Sequence, residues 1–345
     1  MGTISYVTAG ESHGPELTAI VEGLPAGLRL DRELIRADLA RRQLVLGAGG
    51  RMAIETDYAE ITAGVMAGLT TGAPLALKIL NRNHEAWKGK AVDAFTAPRP
   101  GHADFAAAVK YGYDDIRPAL ERASARETAA RVAVGACCRA MLKEFGIEVT
   151  SRVLEIGGQG EENEIAAAIA AAREAGETLG GIIEARATGL PVGLGSSVSA
   201  HRRLDARLAA ALISLPAMKG VEFGDGFALA RMSGTETRGL MGGLAGGITD
   251  GEELVVRVAM KPIPTTRRPQ PTVDLATGEP AQTVYERSDV CPVPRAAVIV
   301  EAAVCLVLAD ALVEKLGGDS LNEMKPRFAA LPRTTRLSPE KKVFW

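Results

Sequence analysis

A chain that repeats its own landmarks in order is constrained to fold as two similar units. Here Gly23-Leu24-Pro25-Ala26-Gly27-Leu28 returns as Gly189-Leu190-Pro191-Val192-Gly193-Leu194. Each copy leads into a Leu-Asp pair, at Leu30-Asp31 and Leu204-Asp205, and then into a helical pattern. Gly68-Leu69-Thr70-Thr71-Gly72 returns as Gly247-Ile248-Thr249-Asp250-Gly251. Both copies run into strand alternation: Leu75, Leu77 and Ile79 in one, Leu254, Val256 and Val258 in the other. Glu121-Arg122 ahead of a helix returns as Glu286-Arg287 ahead of a helix. Three matches in the same order predict a duplication: a single domain over 1–345 made of two similar halves, about 1–150 and 180–320. The spacing differs between the copies, and the unmatched part of the first half holds the Arg99–Asp104 turn.

The helical segments are plain. Val134, Cys137, Cys138, Met141 and Leu142 form one apolar face, with Gly146 as a stop. Leu208, Ala211, Leu212 and Leu215 repeat that spacing behind Asp205, a candidate N-cap. From Ala296 to Leu316 the pattern is apolar nearly all round, which predicts a buried core helix, whereas 161–174 is alanine-rich and reads as an exposed connector. The class predicted is α+β, with long helices packed centrally and a ligand site where the halves meet.

Composition narrows the functions. A net charge of -2 gives no global basic field for nucleic acid or an anionic membrane. No run of 18 apolar residues suggests a membrane span, and the first residues carry no secretory pattern. Cys137, Cys138, Cys291 and Cys305 have no metal-ligand spacing and fall in apolar segments, so they read as reduced core residues of a cytoplasmic protein without a metal.

The chemistry gathers in loops and helix starts. His13 stands in Gly10-Glu11-Ser12-His13-Gly14, and His102 in Arg99-Pro100-Gly101-His102-Ala103-Asp104. Histidine can exchange a proton near neutral pH, and flanking glycine lets backbone approach a ligand. Basic residues collect nearby. Arg41, Arg42 and Arg51 flank a glycine loop, while Arg122 and Arg126 bracket Ser124 just ahead of a helix. Guanidinium forks suit carboxylates and phosphates, and a helix start adds backbone donors. Singly, each arginine reads equally as solvated surface; as a set, they predict an anionic ligand. Gly242-Gly243-Leu244-Ala245-Gly246-Gly247 allows close backbone approach but is not a dinucleotide fingerprint, and tight turns explain it as well. No Walker loop, nucleophile elbow or HExxH is present.

Five ordered segments go further: Gly10–Gly14, Arg99–Asp104, Ser124-Ala125-Arg126-Glu127-Thr128, Lys219-Gly220-Val221-Glu222-Phe223-Gly224 and Glu286-Arg287-Ser288-Asp289. Together they resemble the chorismate synthase family, from about residue 4 to about residue 320. The resemblance implies a β-α-β sandwich with internal pseudo-twofold symmetry, assembled as a homotetramer. It implies 1,4-anti elimination of phosphate from 5-enolpyruvylshikimate 3-phosphate, giving chorismate. The cofactor would be reduced FMN, with no net redox change and NADPH as one candidate reductant. By position, His13 resembles the acid for the departing phosphate, His102 the group that protonates reduced flavin, and Asp289 a proton carrier at the flavin. Ser12 and Ser124 would support them. Arg42, Arg51, Arg99 and Arg126 would hold the substrate. Arg122, Ala123, Ser124, Pro216, Ala217, Gly246, Lys261, Pro262, Ile263, Pro264, Thr265 and Arg287 would hold the flavin.

Some positions depart from the family pattern. Ala48 replaces an arginine, Pro216 an asparagine, Gly239-Leu240 an Asn-Asn pair and Ala245 an acid. The stretch 231–242 is also short. These departures predict weak binding of flavin alone. They leave open an alternative, a catalytically weak or non-catalytic relative that keeps the substrate-binding fold.

Overall fold

The computed structural model describes residues 3–43, 57–286, 288–335 and 337. The Ala48 and Arg51 loop and Arg287 lie outside them.

The first half opens with β1 (Ser5–Ala9), β2 (Glu16–Glu22), α1 (Arg32–Gln43) and β3 (Ala59–Ala63). A small hairpin, β4 (Val65–Met66) and β5 (Leu69–Thr70), leads into β6 (Leu75–Leu80). Three helices follow: α2 (Asp104–Tyr111), α3 (Arg117–Arg122) and α4 (Thr128–Lys143). The second half opens with β7 (Glu148–Ile156), α5 (Glu162–Ala175), β8 (Gly181–Thr188), α6 (Leu204–Ile213) and β9 (Met218–Phe223). The hairpin β10 (Leu244–Ala245) and β11 (Ile248–Thr249) leads into β12 (Leu254–Met260). The hairpin β13 (Pro271–Val273) and β14 (Pro280–Gln282) precedes α7 (Val293–Leu316) and α8 (Leu321–Ala329).

Two four-stranded antiparallel sheets result, in the orders β1-β2-β6-β3 and β7-β8-β12-β9. Taken strand by strand, the two orders have the same sequence of connections. Each sheet buries one face because its strands alternate. Leu17, Ala19 and Val21 of β2 and Leu75, Leu77 and Ile79 of β6 point inward, as do Leu254, Val256 and Val258 of β12.

The helices lie between the sheets. α4 packs on β2 and β6, α7 on β7 and β8, and α4 and α7 pack on each other. Their closest approach needs glycine: a Cβ on Gly135 would meet the Ala302 Cβ at 2.3 Å. α7 is long and apolar enough to cross a membrane by composition, but 89% of that window is buried inside the protein. The face of α1 turned inward carries Ile35, Asp38, Leu39 and Arg42, so this helix delivers charge as well as apolar surface to the interior.

Two helix-end expectations are corrected. Asp205 is not the N-cap of α6; Arg203 holds that position, and the Asp205 carboxylate inside the first turn pairs with it. Gly146 is left-handed as expected, with φ +72°, but it stands two residues beyond the C-cap Glu144 of α4.

Candidate active site

His13 lies in the β1–β2 connection. Gly10 starts that turn with φ +109°, where a Cβ would stand 2.3 Å from the Glu16 carbonyl oxygen. The turn is held from outside. The Asn81 amide donates to the carbonyls of Glu11 (3.0 Å) and Gly14 (2.8 Å). The Ser12 N–H donates to the Glu121 carbonyl, and His84 Nδ1 bonds the His13 carbonyl at 2.9 Å. The imidazole Nδ1 meets Glu121 Oε1 at 2.6 Å. Its face lies on Trp87, with ring centroids 4.2 Å apart. Ser12 is buried and accepts a hydrogen bond from the Ser124 hydroxyl at 3.0 Å. Ser124 also caps the short turn Ala125–Glu127 by accepting the Arg126 N–H. Ser12 and Ser124 thus form a hydrogen-bonded pair from two segments.

His102 sits just ahead of α2, and its partner is the first residue of that helix. Nδ1 meets Asp104 Oδ1 at 2.5 Å. Asp104 is fully buried. Its Oδ2 accepts the backbone N–H of Arg99 at 3.0 Å and the Arg99 Nε at 2.8 Å. Burial alone would raise the Asp104 pKa; hydrogen bonds from His102 and Arg99 outweigh it and hold the carboxyl well below the usual range. Arg99 is one of the residues expected to hold the substrate. Its guanidinium is buried and committed to Asp104 and, at 2.9 Å, to the Thr265 hydroxyl.

A second buried array joins the halves. Asp57 bridges Arg42 Nη2 (2.7 Å) and Arg126 Nη1 (2.5 Å). Arg126 Nε also donates to Asn81, the residue that holds the His13 turn. From α7, Arg295 donates to the Arg42 carbonyl at 3.2 Å and pairs with Asp289 at 2.7 Å. Arg42 is almost fully buried, and its Nε has no hydrogen-bond partner among the described residues. Burial pushes its pKa down to about 10, and the nearby charges of Arg295 and Arg126 add to this against the pull of Asp57. A buried cationic array with an orphaned donor fits an anionic ligand.

The segment 261–265 is the hub between these groups. Lys261 N–H donates to the Ala217 carbonyl, and the Ile263 carbonyl accepts from Thr178. Gly101 of the His102 turn lies against Pro264. The Thr265 carbonyl accepts from Ser288, next to Asp289. Lys261 titrates below its ordinary range, first because of burial and then because Lys219 repels it. That too fits an anionic group. Arg122 is half-exposed and donates to Thr8, bringing Arg122–Ser124 to the His13 side. Gly246 lies on the β10–β11 turn, where a Cβ would meet only Ser197.

The family model for chorismate synthase matches residues 4–313. The chorismate synthase of Caldanaerobacter subterraneus subsp. tengcongensis is 51% identical over 338 residues, covering 94% of this chain and 97% of the relative. That of Geobacter sulfurreducens is 48% identical over 382 residues, with the same coverage. A crystal structure of chorismate synthase superposes with a TM-score of 0.77 at 39% identity, covering 94% of this chain and 96% of that one.

This chain belongs to the chorismate synthase family.

Within the chorismate synthase family it is a compact member. The same share of the chain aligns over 338 positions with one relative and 382 with the other. Shortness is thus a trait shared with a relative that carries the family name, and it gives no support to a merely structural role. Several residues were not singled out from the sequence as part of the site: Glu121, Trp87, His84, Asn81, Asp57, Asp104 as a partner, and Arg295. Asp104 had a signal, standing two residues from His102. The others come from distant segments, and nothing in their local sequence points to the site.

Proposed function

We propose that this protein converts 5-enolpyruvylshikimate 3-phosphate to chorismate and phosphate with reduced FMN. One observation carries the reading: two imidazoles, each meeting a carboxylate at Nδ1, are each linked by hydrogen bonds to a buried arginine, the His13 turn through Asn81 to Arg126 and His102 through Asp104 to Arg99. Anions need the arginines, and a 1,4-elimination of phosphate needs proton control at two places.

His13 protonates the departing phosphate. Ser12 and Ser124 hold the turn that carries it. Arg42 and Arg126 bind the substrate's anionic groups, with Arg51 joining them from the glycine loop outside the described residues. Arg99 orients His102 through Asp104. His102 holds a proton at the flavin's edge, since a dianionic ring would be costly in a dry site. Asp289, restrained by Arg295, moves a proton on the same side. Arg122–Ser124, Ala217 with Pro216, and Lys261–Thr265 would hold the flavin; Arg287, expected with them, lies outside the described residues. When bound, reduced FMN supplies electron density that stabilises charge as phosphate leaves. An external reductant such as NADPH keeps it reduced.

We also read the matching strand orders as the product of an internal duplication within one domain. The protein acts as a cytoplasmic homotetramer. The test is an anaerobic assay with reduced FMN and the substrate, following phosphate and chorismate together. Formation of both in equal amounts is expected; neither product from folded protein overturns the reading.

A further inference from the structure

We propose that Glu121 is the positioning residue for His13, holding its imidazole as the Nδ1–H tautomer and so committing Nε2 to proton exchange with the ligand. The inference rests on the role of His13 in the proposed reaction.

Both carboxylate oxygens of Glu121 are used on the same residue. Oε1 accepts from the ring Nδ1 at 2.6 Å, and Oε2 accepts the His13 backbone N–H at 2.7 Å. One side chain therefore fixes both the ring and the turn that carries it. The Glu121 carbonyl adds a third tie, to the Ser12 N–H at 3.3 Å. The anchor is itself anchored. α3 carries Glu121 and buries Ala119 and Leu120 in a small apolar cluster with Phe95, Ala108 and Ile116. Trp87 closes one face of the imidazole, and Arg117 lies over the far side of the indole at 5.8 Å. The ring can neither flip nor slide without breaking these contacts. The pair is also partly withdrawn from water, with side-chain exposures of 18% for His13 and 11% for Glu121.

A carboxylate can only accept from Nδ1, so it selects the tautomer. This is the general arrangement in which a third group orients an acid–base histidine. Glu11, two residues before His13 in sequence, does not hold this place; the partner comes from 108 residues away.

Glu121→Gln preserves size but can donate to Nδ1 and select the wrong tautomer. Its kcat should fall roughly 10²–10⁴-fold with KM within about 3-fold, because a positioned acid is lost and substrate contacts are kept. In a His13→Ala background the same change should cost less than about 3-fold, since its effect runs through the imidazole. An equal loss in both backgrounds would make Glu121 merely structural and overturn the inference. Full activity of His13→Ala would remove the role of His13 itself. A normal His13→Ala loss beside an active Glu121→Gln would sink this inference alone. Nitrogen NMR of histidine-labelled wild-type protein covers the case of a variant that does not fold. The signal missing in His13→Ala should show the neutral ring protonated at Nδ1; protonation at Nε2 overturns the proposal.

Discussion

The two histidine turns expose their imidazoles equally, 18% each, but are backed in opposite ways. His102 takes its carboxylate from two residues along the chain, and that carboxylate is fully buried. Arg99 locks it and ties it to Thr265 in the second half. His13 takes its carboxylate from α3 and its aromatic wall from the turn at 82–87, and Glu121 keeps some exposure. One centre is a local motif tied to the second half by the bond from Arg99 to Thr265. The other is assembled only when distant segments arrive. Equal exposure therefore conceals different costs of disturbance.

The largest expected effect treats the centres alike. His13→Ala and His102→Ala should each lower kcat by roughly 10²–10⁴-fold while circular dichroism stays native. A tenfold or smaller loss at one centre would end the symmetry of roles.

The next separates them. Asp104→Asn removes a buried partner and strands a buried guanidinium, so unfolding free energy should drop by about 3–5 kcal/mol in urea titrations. Glu121→Gln, partly exposed, should cost clearly less. Acid sharpens the contrast. The Asp104 pKa is depressed in the folded state, so its contribution is present above the unfolded value near ~3.9 and fades as pH falls toward the folded one. Between about pH 5 and 2, wild type should lose more stability than Asp104→Asn, and parallel curves would refute the linkage.

Thr265→Val tests the seal between the halves. It removes the acceptor for Arg99 Nη1 and should cost about 1–3 kcal/mol in thermal unfolding. The smallest effect belongs to the other centre. Trp87→Leu removes the ring stacked on His13 and should weaken transition-state stabilisation by about 0.5–1.5 kcal/mol, read from kcat/KM. A larger loss in stability than in kcat/KM would make the indole a structural prop.

What the sequence disclosed divides along the same line. Alternation in Leu75–Ile79 and Leu254–Val258 and the apolar run of α7 gave strands and a core helix, because burial imposes those periods directly. His102 and Asp104 were adjacent enough to read together. Arg42 could be picked out but not its state, since burial beside Asp57 depends on a fold that brings α1 to residue 57. Glu121 stood out only as a repeat landmark and Arg295 not at all, because a carboxylate on a helix and an arginine in an apolar run look ordinary until their partners are known. Asp205 misled because a good capping residue stands one turn position too late.

The hub segment Lys261-Pro262-Ile263-Pro264-Thr265 has a thermodynamic consequence. Two of its five residues are pyrrolidine rings with φ already fixed, and both ends are hydrogen-bonded to other segments. Its disorder is given up when the chain folds, not when a ligand arrives. A molecule settling on this segment meets a wall that has little conformational entropy left to lose, so more of each contact appears as affinity.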